Sequence, residues 1–344
     1  MAQSYPIDFV VLWVDGADPV WREKRAYWAA QVCGVQKTDA DNGHAENRFR
    51  DWDLMRYWFR GAEKFAPWVN RIWFVTDGQR PVWLNTDHPK LRVISHAEYL
   101  PADCLPTFNS NAIELGLHRI PDLSEHFVLF NDDMFLCAPT APEDFFRDGK
   151  PCDAALMDAV TAPDPGDCLP HMLINNFAVI NRQFSKRQVL REHFGKFFSP
   201  QYGADLLRNV LLAPFAMFSA FRDTHLPSSH TKRTFARVWD AAEMQLTETL
   251  HHRFRAKEDC THWMMKAWQI CEGNFAVRGT GWGRHFELWE DSLDGICAAV
   301  AHGRYRAVCI NDSKPDIDFT AVRARLHEAF ETLLPQMSAY ETQP

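Results

Sequence analysis

The sequence lacks a basic excess and a long apolar run, and each absence excludes a class of protein. The formal net charge of the 344 residues is −8 at pH 7. A general nucleic-acid binder presents a basic face, so no nucleic-acid partner is expected. The longest apolar run, residues 210–221, contains Pro214 and is shorter than the ~20 residues that cross a bilayer. We interpret it as a buried or interfacial helix, so no transmembrane segment is expected and peripheral membrane contact stays open.

Paired cysteines and the common catalytic motifs are also missing. The nine cysteines are scattered without a CxxC pair, which argues against a disulfide framework or a zinc knuckle and favours a reducing compartment. The first six residues do not resemble the start of a secretory signal peptide. We therefore predict a cytoplasmic location, with attachment at the inner face of the membrane as an alternative. The sequence has no P-loop, no GxGxxG after its first apolar run, no GxSxG and no HExxH.

The first half of the sequence alternates between strand and helix patterns. Short apolar runs rich in β-branched residues end at turn or acidic residues, which is typical of buried parallel strands. Apolar residues at helical spacing lie between these runs. This rhythm predicts an α/β fold with a Rossmann-like, mostly parallel sheet. The predicted strands are residues 7–14, 71–76, 91–95 and 126–131, and the predicted helices are residues 51–65 and 111–119.

The second half of the sequence has a different pattern. It is mainly helical over residues 181–273, after a join marked by Pro163, Pro165 and Gly166. Residues 305–311 form a late strand that we expect to return to the first sheet. The predicted units are a Rossmann-like core at 1–165, a helical insertion that caps the strand ends at 166–275, and a return to the core with a C-terminal helix at 276–344.

Acidic residues follow several of the predicted strands. Asp15 and Asp77 each precede a glycine, and Asn131, Asp132 and Asp133 follow the fourth strand. Ligands of open α/β sheets collect beyond the carboxyl ends of the strands, and two adjacent carboxylates need a cation nearby. The pattern favours Mg²⁺ or Mn²⁺ at the aspartate pair, because both ions prefer oxygen ligands. The alternative is a capped turn in which these aspartates accept hydrogen bonds from backbone amides.

Two further stretches carry polar groups that suit a phosphorylated sugar. Residues 105–114 (LPTFNSNAIE) could offer backbone amides to an anion and side chains to sugar hydroxyls; the alternative is an ordinary helix cap. The helical half contains a basic set that includes His225, Arg253 and Arg255, with Asp259 close behind. Arginine holds phosphate through two hydrogen bonds, and histidine can act as a general base. The alternative for these histidines is a structural or surface role.

Four stretches resemble the motifs of the Stealth family, which includes bacterial capsule and exopolysaccharide phosphotransferases and the catalytic subunit of N-acetylglucosamine-1-phosphotransferase. The resemblance covers most of the chain. The four stretches are IDFVVLWVDG at 7–16; residues 48–135, with RFRDWDLMRYWFR, LPTFNSNAIE and FVLFNDDMFL in order; residues 225–239 together with HRFRAKED at 252–259; and CIND at 309–312.

The resemblance implies a GT-A-like core with a helical insertion, a UDP-sugar donor, most often UDP-N-acetylglucosamine or a related hexosamine, and Mg²⁺ or Mn²⁺ as cofactor. The implied reaction moves a sugar-1-phosphate to an acceptor hydroxyl, forms a phosphodiester and releases UMP. Eukaryotic relatives carry inserted modules that select protein acceptors. This sequence lacks such modules, so the expected acceptor is a glycan or a simple sugar. The histidine, arginine and acid of the third motif fall on His225, Arg255 and Asp259.

Two other functions stay open at this point: a metal-dependent GT-A-like glycosyltransferase that releases UDP, and a non-catalytic carbohydrate-binding protein. The sequence does not decide the oligomeric state, and a homodimer is one alternative. The predicted catalytic residues are His225, Arg255, Asp133 and Asp259; the predicted metal ligands are Asp132, Asp133 and Asp312; and the predicted substrate-binding residues are Asp15, Gly16, Arg48, Arg56, Thr76, Asp77, Asn109, Ser110, Glu114, Arg253 and Asn311.

Overall fold

The computed structural model describes residues 5–32, 49–162, 164–288, 291–312 and 317–342. Within these ranges the strands are β1 (Ile7–Leu12), β2 (Ile72–Thr76), β3 (Leu91–Ser95), β4 (His126–Phe130), β5 (Met134–Leu136), β6 (Phe146–Arg147), β7 (Lys150–Asp153), β8 (Met157–Asp158), β9 (Ala220–Phe221), β10 (Ser228–Thr231), β11 (Ala276–Val277), β12 (Gly283–Glu287) and β13 (Ala307–Asn311). The α-helices are α1 (Pro19–Val32), α2 (Met55–Phe65), α3 (Ser110–Leu115), α4 (Cys168–Gln183), α5 (Lys186–Glu192), α6 (Phe194–Phe197), α7 (Leu206–Leu212), α8 (Lys232–His251), α9 (Trp263–Cys271), α10 (Leu293–Ala301) and α11 (Phe319–Leu333).

The central sheet has the strand order β10-β4-β1-β2-β3. The strands β1 to β4 run parallel to one another, and β10 lies antiparallel to β4 at one edge of the sheet. In the middle strand, Phe9, Val10 and Val11 are fully buried. Such continuous apolar strands are expected where both faces of a parallel sheet are covered. The predicted α/β fold with a Rossmann-like, mostly parallel sheet is therefore confirmed.

Helices cover both faces of this sheet. Side chains alternate along a strand, so Phe9 and Val11 belong to one hydrophobic cluster and Val10 belongs to another. The first cluster includes residues of α2, α10 and α11, and the second includes residues of α3, α4, α8 and α9. The helices predicted for the insertion therefore pack on one face of the sheet; the boundaries at 165 and 275 stay predictions. In the described ranges, no helix combines the length and the apolar character needed to cross a membrane.

The late strand β13 does not return to the central sheet, so that prediction is wrong. β13 pairs in parallel with β12 and antiparallel with β5, which begins four residues after β4 ends. Both edges of β4 are occupied by β1 and β10, and β5, which follows β4 in the chain, provides the edge with which β13 pairs. The small sheet still joins the core, because Val308 and Ile310 belong to the same hydrophobic cluster as Phe9.

Candidate active site

A cavity of about 720 Å³ lies at the carboxyl ends of the central parallel strands. Its walls include Val14 after β1, Asp77 after β2, His96 after β3 and residues 131–133 after β4. Open α/β sheets bind ligands at this edge, because groups from several strands meet there. The position of the cavity therefore follows from the strand order.

Asp132 and Asp133 lie in the turn between β4 and β5. The Asp132 side chain is accessible to solvent inside the cavity, but its depth in the protein, with the charges of Asp133 and Asp51, raises its pKa to about 8. Burial also works to raise the pKa of Asp133, but His225 and the thiol of Cys309 stabilise its carboxylate and lower the pKa overall. The pair presents one firmly charged carboxylate beside one that a cation would help to ionise.

His225 lies between two carboxylates. Its Nε2 is 3.5 Å from Asp133 Oδ2, and its Nδ1 is 3.8 Å from Asp223 Oδ2. Burial alone would lower the pKa of His225, but the two carboxylates raise it to about 10. The backbone φ of 44° is in the left-handed region, which residues other than glycine rarely adopt. Lys266 donates to Asp223 at 3.0 Å, so opposite charges alternate from Lys266 to Asp133.

A second polar group comes from β12 and β13. His285 Nε2 lies 2.7 Å from Glu287 Oε1, and Asn311 Nδ2 donates to the same oxygen at 2.9 Å. His285 Nδ1 has no hydrogen-bond partner among the described residues, and its ring centroid is 5.6 Å from that of His225. His285, Glu287 and Asn311 all line the cavity. A histidine that donates from Nε2 to a carboxylate is arranged to accept a proton at Nδ1.

Asp312 follows β13 and faces the same cavity. Its Oδ2 is 3.3 Å from Arg50 Nη1; burial raises the pKa of Asp312, and Arg50 opposes that rise. Asp312 Oδ1 and Asp133 Oδ1 are both buried without a hydrogen-bond partner in the described part of the chain. Buried carboxylate oxygens of this kind need a ligand, and a divalent cation is one that fits them. The oxygen donors of Asp132, Asp133 and Asp312 therefore suit Mg²⁺ or Mn²⁺.

The opposite part of the cavity wall begins at α3. Asn109 caps this helix through its side chain, and Ser110 Oγ accepts a hydrogen bond from Arg255 Nη2 at 2.6 Å. That contact holds the guanidinium group in the cavity wall. Glu114 Oε2 lies 2.6 Å from His262 Nδ1, and both residues line the cavity. The cavity thus presents cationic groups near its carboxylates, as a phosphorylated ligand requires.

Two family models match this chain: "Stealth protein CR1, conserved region 1" over residues 5–33 and "Stealth protein CR2, conserved region 2" over residues 48–153. A capsular polysaccharide phosphotransferase, WcwK of Streptococcus pneumoniae, is 36% identical over 99% of each chain. The exopolysaccharide phosphotransferase cps2G of Lactiplantibacillus plantarum is 40% identical over 98% of this chain and 96% of its own. The receptor polysaccharide phosphotransferase WefC of Streptococcus gordonii is 40% identical over 97% and 98% of the two chains. The chain belongs to the Stealth family.

Among solved structures, this Stealth protein is similar to the galactosyltransferase LgtC in complex with donor and acceptor sugar analogues, with 13% identity, coverage of 96% and 98% of the two chains and a TM-score of 0.36. It is also similar to mouse xyloside xylosyltransferase 1, with 11% identity, coverage of 90% and 100%, and a TM-score of 0.34. Neither likeness is close enough to bear on function, and the description of the fold depends on the strand order above.

Nine predicted site residues of this Stealth protein line the cavity. They come from separate stretches of the chain, and the fold brings them to one place. Their catalytic, metal-binding and substrate-binding roles stay predictions. Arg48 lies outside the described residues. The nine residues are Asp77, Ser110, Glu114, Asp132, Asp133, His225, Arg255, Asn311 and Asp312.

Asp259 does not line the cavity, and this placement corrects its predicted catalytic role. Its carboxylate is fully buried. Oδ2 accepts from the side-chain amides of Asn109 at 2.8 Å and Asn111 at 3.1 Å, and Oδ1 is 2.7 Å from His252 Nδ1. A carboxylate so enclosed cannot reach a ligand, but it ties the segment that carries Arg255 to the cap of α3. Asn109, which was predicted to bind substrate, acts in the same buried link.

Arg253 and Arg56 are also held away from the cavity, so neither is placed to bind a ligand there. Arg253 Nη1 donates to the carbonyl oxygen of Pro106 at 2.9 Å, and its guanidinium carbon lies 4.1 Å from the ring centroid of Trp28. Arg56 Nη1 is 3.7 Å from Glu341 Oε2, near the C-terminal end of the described chain. Each arginine thus has a partner that explains its position without a substrate.

Asp15, Gly16 and Thr76 shape the edge of the cavity and do not line it. Asp15 Oδ1 accepts from the backbone N–H of Ala17 at 2.8 Å, in the turn before α1. A Cβ at Gly16 would lie 1.8 Å from the carbonyl oxygen of Phe49, so only glycine allows this close approach of a segment that does line the cavity. Thr76 is fully buried in β2.

Several charged or titratable residues of the cavity were not predicted from the sequence, among them the five discussed next. Arg50 and Asp51 lie within the RFRDWD stretch that was recognised as part of a motif, and Asp223 lies two residues before His225. Those positions carried a signal. His285 and Glu287 carried none, because they belong to β12, which lies in none of the recognised stretches and joins the site by pairing with β13.

Proposed function

We propose that this Stealth protein transfers a sugar-1-phosphate from a UDP-sugar, a UDP-N-acetylhexosamine, to a hydroxyl of a glycan or simple sugar in polysaccharide synthesis. The observation that carries the proposal is that Asp132, Asp133, Asp312, Arg255 and His225 line one cavity. A diphosphate donor needs oxygen ligands for a cation and positive side chains for its phosphates. The names of the full-length relatives, which are all polysaccharide phosphotransferases, support the same class of reaction.

In the proposed reaction, the oxygen of the acceptor hydroxyl attacks the β-phosphorus of the donor. A bond forms between that oxygen and the phosphorus, and the bond from the phosphorus to the oxygen bridging to the α-phosphate breaks. UMP leaves with the bridging oxygen, the hydroxyl proton passes to a protein base, and the product is a phosphodiester. The bond at the anomeric carbon stays intact. Such phosphoryl transfer depends on positioning and on neutralisation of charge.

Arg255 and His225 supply positive charge in this proposal. Arg255 is positioned by Ser110 and can hold two phosphate oxygens at once. Both ring nitrogens of His225 face carboxylates, so His225 acts as a cation beside the phosphate and leaves the role of base to another residue. We place the nucleotide half of the donor near Asp77, at the end of β2.

His285 is the proposed proton acceptor. Its Nε2 is held by Glu287 at 2.7 Å, which orients the ring and stabilises the charge that forms on it. Its Nδ1 is buried without a hydrogen-bond partner among the described residues, and the side chain lines the cavity next to His225. This arrangement supports His285 as the base over His225, the histidine that the sequence indicated.

The proposed cofactor is Mg²⁺ or Mn²⁺, held by Asp132, Asp133 and Asp312. When bound, the ion neutralises the negative charge of the diphosphate and of the leaving UMP. The ligand atoms of Asp133, His225 and Cys309 lie within 4.8 Å of one another, whereas Asp132, Asp133 and Asp312 do not form such a group among the described residues. The nitrogen and sulfur donors of the first set suit zinc. Burial and the nearby Asp133 raise the pKa of the Cys309 thiol well above its usual range. The observation that favours the oxygen set is that Asp133 Oδ1 and Asp312 Oδ1 are buried without a hydrogen-bond partner among the described residues.

The nucleotide product tests the proposal. The protein is incubated with UDP-N-acetylglucosamine or a related UDP-hexosamine, a glycan acceptor and Mg²⁺. We expect UMP and a phosphodiester in equal amounts, because the β-phosphorus is the centre attacked. UDP as the product would replace the proposal with glycosyl transfer. Asp87→Asn, which removes one exposed carboxylate outside the cavity, is the matched control and should react at the wild-type rate.

We propose a cytoplasmic location for the reaction, which the scattered cysteines support.

A further inference from the structure

Five large apolar side chains are exposed within eleven residues, and we call them the 207–217 surface. They are five of the fourteen large apolar side chains that are exposed in the described part of the chain. Single exposed apolar residues are ordinary on a protein surface, but a cluster marks a binding site. The five are Leu207 at 62% exposure, Val210 at 52%, Leu211 at 63%, Phe215 at 65% and Met217 at 66%.

Helix α7 turns its apolar side outward. Leu207, Val210 and Leu211 have the i, i+3, i+4 spacing that places side chains on one helix face. Asn209 is the residue that points inward: it is fully buried, and its side chain makes three hydrogen bonds of 2.6–2.7 Å to backbone groups of the interior. A surface helix in water normally has the reverse arrangement, with apolar residues inward. The exposed face of α7 therefore suits contact with an apolar neighbour.

The segment after α7 is fixed by contacts on its inner side. Lys186 is buried and donates from Nζ to the carbonyl oxygens of Leu212 at 2.6 Å and Met217 at 3.3 Å. The side chain of Asn181 exchanges two hydrogen bonds, of 2.8 and 3.0 Å, with the backbone of Phe218. Backbone held in this way does not fray. The exposure of the apolar side chains between these anchors is thus a property of the fold.

Exposed arginines lie beside Asn181 and Lys186 in sequence, the two residues that anchor the 207–217 surface. Residues 182–217 contain six Lys or Arg and two acidic side chains, a net charge of +4 in a chain whose net charge is −8. An apolar face bordered by arginines is the arrangement by which interfacial helices bind anionic lipid. The exposed arginines are Arg182, Arg187, Arg191 and Arg208.

We propose that the 207–217 surface binds an anionic lipid bilayer, with its five apolar side chains at the boundary between headgroups and acyl chains. The proposal adds a membrane surface to the cytoplasmic location and does not depend on the chemistry of the cavity. Arg208 forms an ion pair with Asp158, and Asp158 lines the cavity. A bilayer on this surface therefore lies next to the site where the acceptor is proposed to react.

A second copy of the chain fits the same surface less well. In a two-fold dimer the patch would face itself, and the net charge of +4 over residues 182–217 would repel the same charge on the partner. An anionic bilayer attracts that charge. The combination of apolar and basic groups therefore favours the membrane.

Sedimentation with vesicles tests the proposal. The probes are vesicles of phosphatidylcholine alone and vesicles with about one third phosphatidylglycerol. We expect the full chain to bind the anionic vesicles, and to bind them less as salt rises from about 0.1 M to about 1 M. Leu211→Glu with Phe215→Glu should weaken binding by about tenfold or more, because the charges would have to enter the apolar boundary. Met244→Glu, at an exposed apolar residue of α8, is the matched control and should bind as the wild type does.

Three results would overturn the proposal: no binding of the wild type to anionic vesicles, undiminished binding of the double variant, or a wild-type dimer that the double variant converts to a monomer while neither form binds lipid. Analytical ultracentrifugation gives the oligomeric state. Both substituted side chains are largely exposed, so the thermal transition followed by circular dichroism should stay where the wild type has it. Arg187→Glu with Arg191→Glu is a second variant that leaves the apolar residues in place, and it should weaken binding to anionic vesicles.

Discussion

At the scale of single residues, the two cavity histidines differ in what faces their ring nitrogens. His225 has a carboxylate on each side, Asp133 and Asp223, so it is held as a cation. His285 has a carboxylate on one side only, and its Nδ1 lacks a partner in the described part of the chain. The same residue type thus has two different environments in one cavity, and we propose a different role for each.

The assignment of His285 as the base leads to a kinetic prediction. We expect His285→Ala to lower kcat by ~10²–10⁴-fold and to change the KM for the donor little, because it removes a proton acceptor and not a binding contact. Glu287→Gln should lower kcat less, since the ring remains. UMP release measured across a range of pH gives both constants. His302→Ala, outside the cavity, serves as the control, and a fall of less than about threefold for His285→Ala would rule out this role.

The carboxylates that line the cavity were predictable from the sequence, whereas the histidine that we propose as the base was not. Asp132 and Asp133 were predictable because they end a strand that is apolar throughout, and strand ends are where ligands collect. His285 was not predictable, since β12 joins the site through β13, whose pairing with β5 connects distant parts of the chain. Asp259 was singled out from the sequence but was predicted to be catalytic, because nothing in the local sequence shows that its carboxylate is enclosed.

At the scale of elements, the connection between the end of α8 and the cap of α3 positions Arg255. Asp259 is the centre of this connection, with His252 on one side and two asparagine amides on the other. The hydrogen bond to Asp259 raises the pKa of His252 above its usual 6.5. A protonated His252 therefore strengthens the link between the two elements.

This link leads to a prediction about stability and pH. The pKa of His252 is higher in the folded than in the unfolded protein, so its stabilising contribution is complete below the unfolded value and is lost as pH rises through the folded value. We expect His252→Gln to lower the free energy of unfolding by about 1 kcal/mol more at about pH 5.5 than at about pH 9. Urea unfolding at the two pH values measures this difference. His302→Gln should show no such dependence, and equal losses for His252→Gln at both pH values would contradict the prediction.

Strands with a strong local pattern were predicted at the right positions, but their pairing with other strands was predicted less well. The four apolar runs of the first half became β1 to β4, since continuous burial on both faces requires continuous apolar sequence. β13 was recognised as a strand but placed in the wrong sheet. Its apolar pattern shows that it is buried, whereas its pairing with β12 and β5 depends on contacts that no local pattern reveals.

At the scale of the whole molecule, the cavity exists because three regions of the chain meet. The central sheet supplies Asp132 and Asp133, the helical region supplies His225 and Arg255, and the small sheet supplies Asp312. No region holds a complete site. A cation and a donor bound here would therefore connect all three regions and stabilise the molecule as a unit.

Ligand-linked stabilisation tests this view directly. A ligand that binds only the folded protein raises its stability by mass action, by about 2.7 kcal/mol at one hundred times its dissociation constant. We expect UDP-N-acetylglucosamine with Mg²⁺ to raise Tm more than the sum of their separate effects, because a bound cation would neutralise charge on both the diphosphate and the carboxylates. Asp133→Asn should abolish this synergy, since it removes a charged ligand of the cation, while Asp87→Asn should preserve it. The shift is read within each variant, relative to its own ligand-free Tm. An equal shift with and without Mg²⁺ would instead indicate a metal-independent sugar-binding protein, and the carboxylates would then need a different explanation.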